Sequence, residues 1–427
     1  MPRRRDDQTI AVDVLTPDLY FSPVISCVQA VAPGLLPRAL LLATCMAACT
    51  PAVDRPAEVP ATTPPPVEEM PASEPPVLAE APDPRDQALL GVCGPGEVHL
   101  HEAAAMVVAA TLAGRAAPSA IELGEMLRAA GDAHVHARAW TATAQGLDRS
   151  AAARRLNAWI GTARPVGRIR CGIASGVNSE RGEVVAVVRQ DVLADLRTQV
   201  ASRVRPFAWV AIDAVSLVQA LGAQVIVLGP RGAPRTITTS YDPATRQIVA
   251  RFNADTEGPW VAQVVAATER GPMPVIEVRL MAGMQARAPF VAGAAPGEDV
   301  APGTDDGETL LLMLNAARLA ERLAPLERDA GLDQVAREHV GRMMTAGVIG
   351  HDVGDGLPPE RVAAAGLDRR NVGENVAKAA SAGLAHRALW WSLSHRTNLL
   401  HAGYTTVGVA AERDAAGAVW VAEVFAE

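Results

Sequence analysis

The chain has 427 residues, enough for two or three domains with cores of their own. A formal net charge of −8 and a pI near 5.7 leave no basic field for phosphates, and Arg3, Arg4 and Arg5 are the one tight basic run, so the composition speaks against a nucleic-acid partner. Hydrophobic residues make up 49% but aromatic residues only 4%, which favours helices packed closely through Ala, Val and Leu.

In chain order, the first informative stretch is Leu35 to Cys49, LLPRALLLATCMAAC. It is shorter than the roughly 20 apolar residues of a membrane-spanning helix and suits the core of a signal peptide. Met46-Ala47-Ala48-Cys49 resembles a bacterial lipobox, with Cys49 as the lipidated residue, and Leu42-Ala43-Thr44-Cys45 is a poorer match. Met1 lies far upstream, so the true start is expected near Val31 to Leu36. A short buried helix with free thiols is the alternative. Residues 1–49 are read as this signal and lipobox region, and residues 50–87, rich in Pro, Glu, Ala and Thr, as a disordered tether unable to bury enough apolar surface to fold. A lipid-anchored envelope protein is expected, and Thr50 after Cys49 favours the outer membrane. Cys93 and Cys171 remain beyond the lipobox, an even pair that suggests one disulfide in an oxidising compartment or two separate buried thiols.

Residues 88–200 read as an α+β unit. Helices are expected over Glu102 to Ala113, Ile121 to Ala130 and Ala151 to Ile160, and a hairpin over Arg170 to Ala174 and Glu183 to Arg189. His99-Leu100-His101 and His134-Val135-His136 would each put two rings on one face of a strand, a spacing found in metal sites, although ordinary polar loop ends explain them as well. Residues 206–285 change to short alternating runs bounded by turn residues, from Trp209-Val210-Ala211-Ile212 to Val275-Ile276-Glu277-Val278-Arg279-Leu280, which predicts an immunoglobulin-like β-sandwich without a catalytic constellation. Residues 286–307 are a Pro/Gly/Asp-rich linker.

Residues 308–427 carry the chemistry. Leu310 to Leu323 predicts an amphipathic helix burying Leu311, Leu314, Leu319 and Leu323, and Asp329 a helix cap before a helix ended by Gly347. Three signatures follow in order: Gly350-His351, Gly373-Glu374-Asn375, and Ser394-His395-Arg396-Thr397-Asn398-Leu399-Leu400. With nine His in the whole chain, this grouping of two imidazoles and a carboxylate calls for a reason. Such a set could hold a divalent ion, act as a general acid and base, or brace the fold. Ser392 and Ser394 near His395 raise a nucleophile reading, but no Gly-x-Ser-x-Gly elbow is present.

Together with Leu314-Asn315-Ala316-Ala317-Arg318, Tyr404-Thr405-Thr406-Val407-Gly408-Val409 and Trp420-Val421-Ala422-Glu423-Val424-Phe425, these signatures resemble the bacterial branch of the CAP superfamily, also called SCP or PR-1-like. The resemblance covers the last 115 residues or so. It implies an α-β-α sandwich and a groove in which His351, Glu374 and His395 meet, with Asn375 and Ser392 beside them. Zn or Ca at His351, Glu374 and His395 is one consequence it allows. Ser392 or Ser394 stands where many members carry a further acid. The resemblance leaves binding of an envelope lipid, glycan or protein, metal-dependent hydrolysis, and a scaffold or adhesin role all open. Residues 88–200, with the same helices-then-hairpin order and no His/Glu signature, read as a degenerate CAP-like copy, making the chain a multidomain α+β protein.

Overall fold

The computed structural model describes residues 21–22, 86–93, 96–115, 118, 120–162, 167–178, 182–283 and 293–427. Apart from strand β1 (Phe21–Ser22) and residues 86–87, which begin the first folded unit, the signal and lipobox region with Cys27, Cys45 and Cys49, and the proline-rich tether, lie outside these residues.

The first unit runs α1 (Gln87–Cys93), α2 (Val98–Leu112), α3 (Ala120–Ala129), β2 (His136–Ala144), α4 (Arg149–Thr162), and a hairpin of β3 (Arg168–Asn178) and β4 (Gly182–Val192). Its antiparallel sheet has the order β2-β4-β3. Strand β2 is absent from the sequence reading for a physical reason. The alternation of its HARAWTATA sequence changes phase at Ala139-Trp140, and helices cover both faces, so burial runs unbroken from Ala137 to Ala142. Trp140 and Ala142 face one core with Leu89 of α1 and Leu156 of α4, while Ala137 and Ala139 face another with Leu100 and Leu123 of α2 and α3.

The middle of the chain supplies β5 (Ala194–Leu196), β6 (Arg203–Val204), β7 (Trp209–Ser216), β8 (Gly222–Leu228), β9 (Arg235–Ile237), β10 (Thr239–Asp242), β11 (Gln247–Asn253), β12 (Gly258–Thr268) and β13 (Gly271–Ala282). They form two sheets, β10-β11-β7-β5 and β6-β13-β12-β8-β9. One core joins them, with Val210, Ile212, Ile248 and Phe252 from the first meeting Val225, Val227, Trp260 and Ile276 from the second. Strand β11 alternates strictly between buried and exposed, as a half-buried strand should. Strand β13 does not, because Glu125 of α3 meets Arg279 on the face away from the core.

The C-terminal domain runs α5 (Asp306–Ala320), β14 (Glu327–Arg328), α6 (Ala330–Ala346), α7 (Pro358–Ala364), β15 (Gly373–Ala379), α8 (Ala382–Trp391), α9 (Leu393–Leu399), β16 (Thr406–Arg413) and β17 (Val419–Ala426). Its sheet has the order β1-β15-β17-β16-β14, antiparallel except where β14 joins β16. Strand period sorts β17 between two cores: Val419, Val421 and Phe425 pack with α5 and α8, and Trp420, Ala422 and Val424 with α6. Asp329 caps α6 by accepting from the backbone N–H groups of Gly331 and Leu332, and Gly347 ends it in the left-handed region at φ 65°. The predicted stripe of α5 is rotated. Leu310, Met313, Leu314 and Ala317 are buried while Leu319 is 60% exposed, since Leu310-Leu311-Leu312 lets more than one face read as apolar.

One local arrangement occurs twice. A Cβ on Gly408 of β16 would come within 2.1 Å of the Leu332 carbonyl carbon in α6, and one on Gly172 of β3 within 2.0 Å of the Leu100 carbonyl carbon in α2. Only glycine lets strand and helix backbones approach this closely. The surrounding hydrogen bonds agree: Asp329 N donates to Val407 O at 3.0 Å and Glu97 N to Cys171 O at 3.2 Å. Val409 N then donates to Asp333 Oδ1 at 2.8 Å, and Ile173 N to His101 Nδ1 at 3.0 Å. The parallel bridges Arg328 to Val407 and Gly96 to Cys171 complete the match.

Candidate functional site

Strand β15 positions the site. Successive side chains on a strand point to opposite faces, so Glu374 and Asn375 serve different neighbours. Glu374 meets the α6–α7 side. Its Oε1 lies 2.7 Å from His351 Nδ1 and 3.7 Å from His339 Nε2, and its Oε2 accepts from Arg361 Nη2. Arg361 also donates to the His351 and Gly356 carbonyl oxygens. His339 is held at both nitrogens, Nδ1 at 2.8 Å from Asp355 Oδ2 and Nε2 at 2.8 Å from Gly350 O.

Burial alone would raise the Glu374 carboxyl, but Arg361, His339 and His351 outweigh it and hold it down at about 2. Burial pulls the His351 imidazole down against the opposing pull of Glu374. The result is a fully buried carboxylate neutralised by a buried guanidinium.

Asn375 faces the other side. Its Nδ2 donates to Glu423 Oε2 at 3.1 Å and its Oδ1 accepts from Asn398 Nδ2 at 3.0 Å. Asn398 also donates to the Glu374 carbonyl oxygen, which fastens α9 to β15. Glu423 lies directly across the ladder from Asn375, and its Oε1 is buried with no hydrogen-bond partner among the described residues. Burial raises its carboxyl to about 7, against the opposing Asn375 bond.

His395, on α9, is fully buried. Burial, and His351 nearby, hold its imidazole well below the ordinary value, so it is neutral at pH 7. Ser392 links α8 to α9, and its buried Oγ has no hydrogen-bond partner among the described residues. Ser394 donates its hydroxyl to Gln263 Oε1 at 2.5 Å, so this Ser does not face an imidazole as a nucleophile would.

Of the predicted residues, His351 and Glu374 thus touch each other, while Asn375 contacts His395 through the backbone, its Nδ2 3.4 Å from the His395 carbonyl oxygen. Gly373-Glu374-Asn375 opens strand β15. Among the described residues no group of three or more His, Cys, Asp or Glu is arranged to hold a metal ion. The donor chemistry agrees, because both Glu374 oxygens and His351 Nδ1 already have protein partners and a guanidinium occupies the place of a cation. The His351, Glu374 and His395 set does not fit Zn or Ca in this arrangement.

Sequence reasoning missed four participants. His339 belongs to the Glu374 cluster, whereas His386 and His401 contact Pro296 O and Tyr404. Arg361 and Asp355 carry no signal in spacing. Glu423 does: an acid at an inward position of the otherwise apolar Val419–Phe425 run marks a buried carboxylate. The two His-x-His pairs of the first unit are corrected as well. His99 and His101 lie on helix α2, where residues two apart diverge, so His99 pairs with Asp132 at 2.8 Å and His101 with β3. His134 also bonds Asp132, while His136 reaches Pro274 O. Cys171 is disulfide-bonded, and the side chain of Cys93, at the end of α1, lies outside the described residues.

Among solved structures, the chain is similar to an outer surface protein of Borrelia burgdorferi at 19% identity, covering 29% of this chain and 93% of that one, with a TM-score of 0.28. An extracellular SCP-domain protein of Bacillus anthracis matches at 16% identity over 54% of this chain and 84% of its own, with a TM-score of 0.27. A cysteine-rich secretory protein of Staphylococcus aureus matches at 12% over 54% and 82%, with a TM-score of 0.25. No curated protein matches the chain. Residues 311–424 match the cysteine-rich secretory protein family, and the chain therefore carries a C-terminal CAP domain.

Proposed function

We propose that this is an exported, lipid-anchored envelope protein whose CAP domain binds an envelope ligand and does not hydrolyse it. The observation that carries this reading is the state of Glu374: both carboxylate oxygens are engaged, one by His351 and one by Arg361, in a fully buried position. A hydrolase needs a base or metal ligand that substrate or water can reach. Here the acid and imidazole brace β15 against α7.

The remaining parts support a presenting scaffold. Cys49 would carry the anchor, so that β1, upstream of it, would leave with the signal and β15 would become the sheet edge; residues 50–87 would hold the folded part off the membrane, and a Cys93–Cys171 disulfide would staple α1 to β3. The two-sheet unit serves as an immunoglobulin-like spacer. Residues 88–200 are a degenerate CAP-like copy, a reading supported by the paired glycine contacts at Gly172 and Gly408. Matching those glycines aligns Glu374 with Ala139, Asn375 with Trp140 and Glu423 with Val187 through the ladder registers. The copy thus has apolar residues at each of these three positions.

The test is incubation of the protein with envelope extracts, with and without Zn²⁺ or Ca²⁺. The expected result is retention of envelope material without cleavage; metal-dependent cleavage abolished by His351→Ala would replace this reading with the hydrolase.

A further inference from the structure

The CAP domain and the two-sheet unit meet along α9 and the β8–β12 face, where Leu393 packs on Ile226 and Val265. Beside this contact runs a groove of about 380 Å³, within the range of small-molecule sites. Its walls are mainly apolar and include Leu228, Trp260, Leu280, Trp390, Trp391 and Leu393.

The charges in it are of one dominant sign. Arg231, Arg279 and Arg396 line the groove against one acid, Glu321, in a chain whose net charge is −8. Arg279 is committed to Glu125 and Glu277. Arg231 is exposed and has no ion pair with a described residue. Arg396 lies 4.0 Å over the Trp390 ring, its Nη2 is 3.5 Å from Glu321, and its Nε is buried without a hydrogen-bond partner among the described residues. A guanidinium held over an indole, with a donor left over, suits a planar or tetrahedral oxyanion. Apolar walls beside it suit a hydrocarbon chain.

We propose that this groove binds a single-chain amphiphile with an anionic head, the head at Arg396 and Arg231 and the chain along the Leu228, Trp260 and Leu280 wall. The site needs both the CAP domain and the two-sheet unit and lies apart from the His351–Glu374 cluster. It deepens the binding reading above, on which it rests, by naming the ligand class.

The experiment is calorimetric titration of the full chain with dodecyl phosphate below its micelle concentration. Saturable binding is expected, with dodecyltrimethylammonium giving no heat and inorganic phosphate failing to compete. Arg231→Glu, a surface change that leaves the fold alone, should weaken binding about tenfold, on the scale of one charge-assisted contact. Arg396→Met should weaken it at least as much, and if that variant does not fold, Arg231→Glu decides alone. Equal binding of the cationic amphiphile, competition by inorganic phosphate, or unchanged affinity in Arg231→Glu would each overturn the site. Cleavage of envelope material alongside dodecyl phosphate binding would remove the non-hydrolytic reading while leaving this site standing, whereas absence of both binding and cleavage removes the site alone.

Discussion

Ser394 Oγ donates to Gln263 Oε1 at 2.5 Å, joining the residue beside His395 to a strand of the neighbouring two-sheet unit. The bond begins a buried polar chain. Gln263 Nε2 donates to Glu277 Oε2 at 3.1 Å, and Glu277 Oε1 is 2.9 Å from both Arg128 Nε and Arg279 Nη2. Both arginines reach Glu125 of α3 in the first unit. The three folded parts are therefore linked by side chains that have left water together. Gln263→Leu would leave Ser394 and Glu277 each short of a partner, at a cost of about 1–3 kcal/mol per group. Differential scanning calorimetry should show a lower transition that begins to split, and an unchanged single transition would refute the linkage.

The pairing of Glu374 with Arg361 predicts a particular acid sensitivity. The carboxyl is held at about 2, below its ordinary 4.5, so its contribution is complete above pH 4.5 and is lost as pH falls from 4.5 towards 2. Glu374→Gln should remove that dependence. It would also leave Arg361 with only the more distant Asp355, 3.8 Å away, as a counter-charge, destabilising the protein by up to about 3 kcal/mol at pH 7. Urea denaturation across this pH range measures both effects.

Glu423 has the opposite sign. Its carboxyl is raised to about 7, so its contribution is complete below pH 4.5 and is lost as pH rises from 4.5 through 7. Glu423→Gln should be indistinguishable from the parent below pH 4.5 and more stable by about 1–3 kcal/mol above pH 7, since the amide never ionises. Equal stability of the two proteins at pH 8 would show that Glu423 is solvated.

The CAP signatures were legible because they meet backbone needs that few residues can satisfy. Arg318 of the Leu-Asn-x-x-Arg motif is buried and donates to the carbonyl oxygens of Ala324, Leu399 and His401, and Asn315 exchanges two bonds with Leu326. Gly373 precedes the acid because Tyr404 Oη would stand 2.2 Å from a Cβ there, which ties the Gly-Glu-Asn signature to the Tyr-Thr signature. The partners of Glu374 were not legible. Arg361 and His339 come to it from separate helices, and neither spacing nor periodicity records that approach. Strand β2 escaped notice because the alternation that marks a strand changes phase at Ala139-Trp140, where both faces are buried.

The repeated glycine contact gives the last prediction. An Ala methyl at position 408 would sit 2.1 Å from a carbonyl carbon of α6, and one at position 172 would sit 2.0 Å from a carbonyl carbon of α2. Backbone atoms cannot swing aside as a flexible side chain can, so helix and strand must separate, at a cost of about 3 kcal/mol or more. Gly408→Ala and Gly172→Ala should therefore destabilise their units by similar amounts in chemical denaturation. Hydrogen exchange should localise the damage, with lost protection in α6 and β16 for the first variant and in α2 and β3 for the second. If Gly172→Ala were neutral, strand β3 would not hold α2 as β16 holds α6, and the reading of residues 88–200 as a CAP-like copy would fall with it.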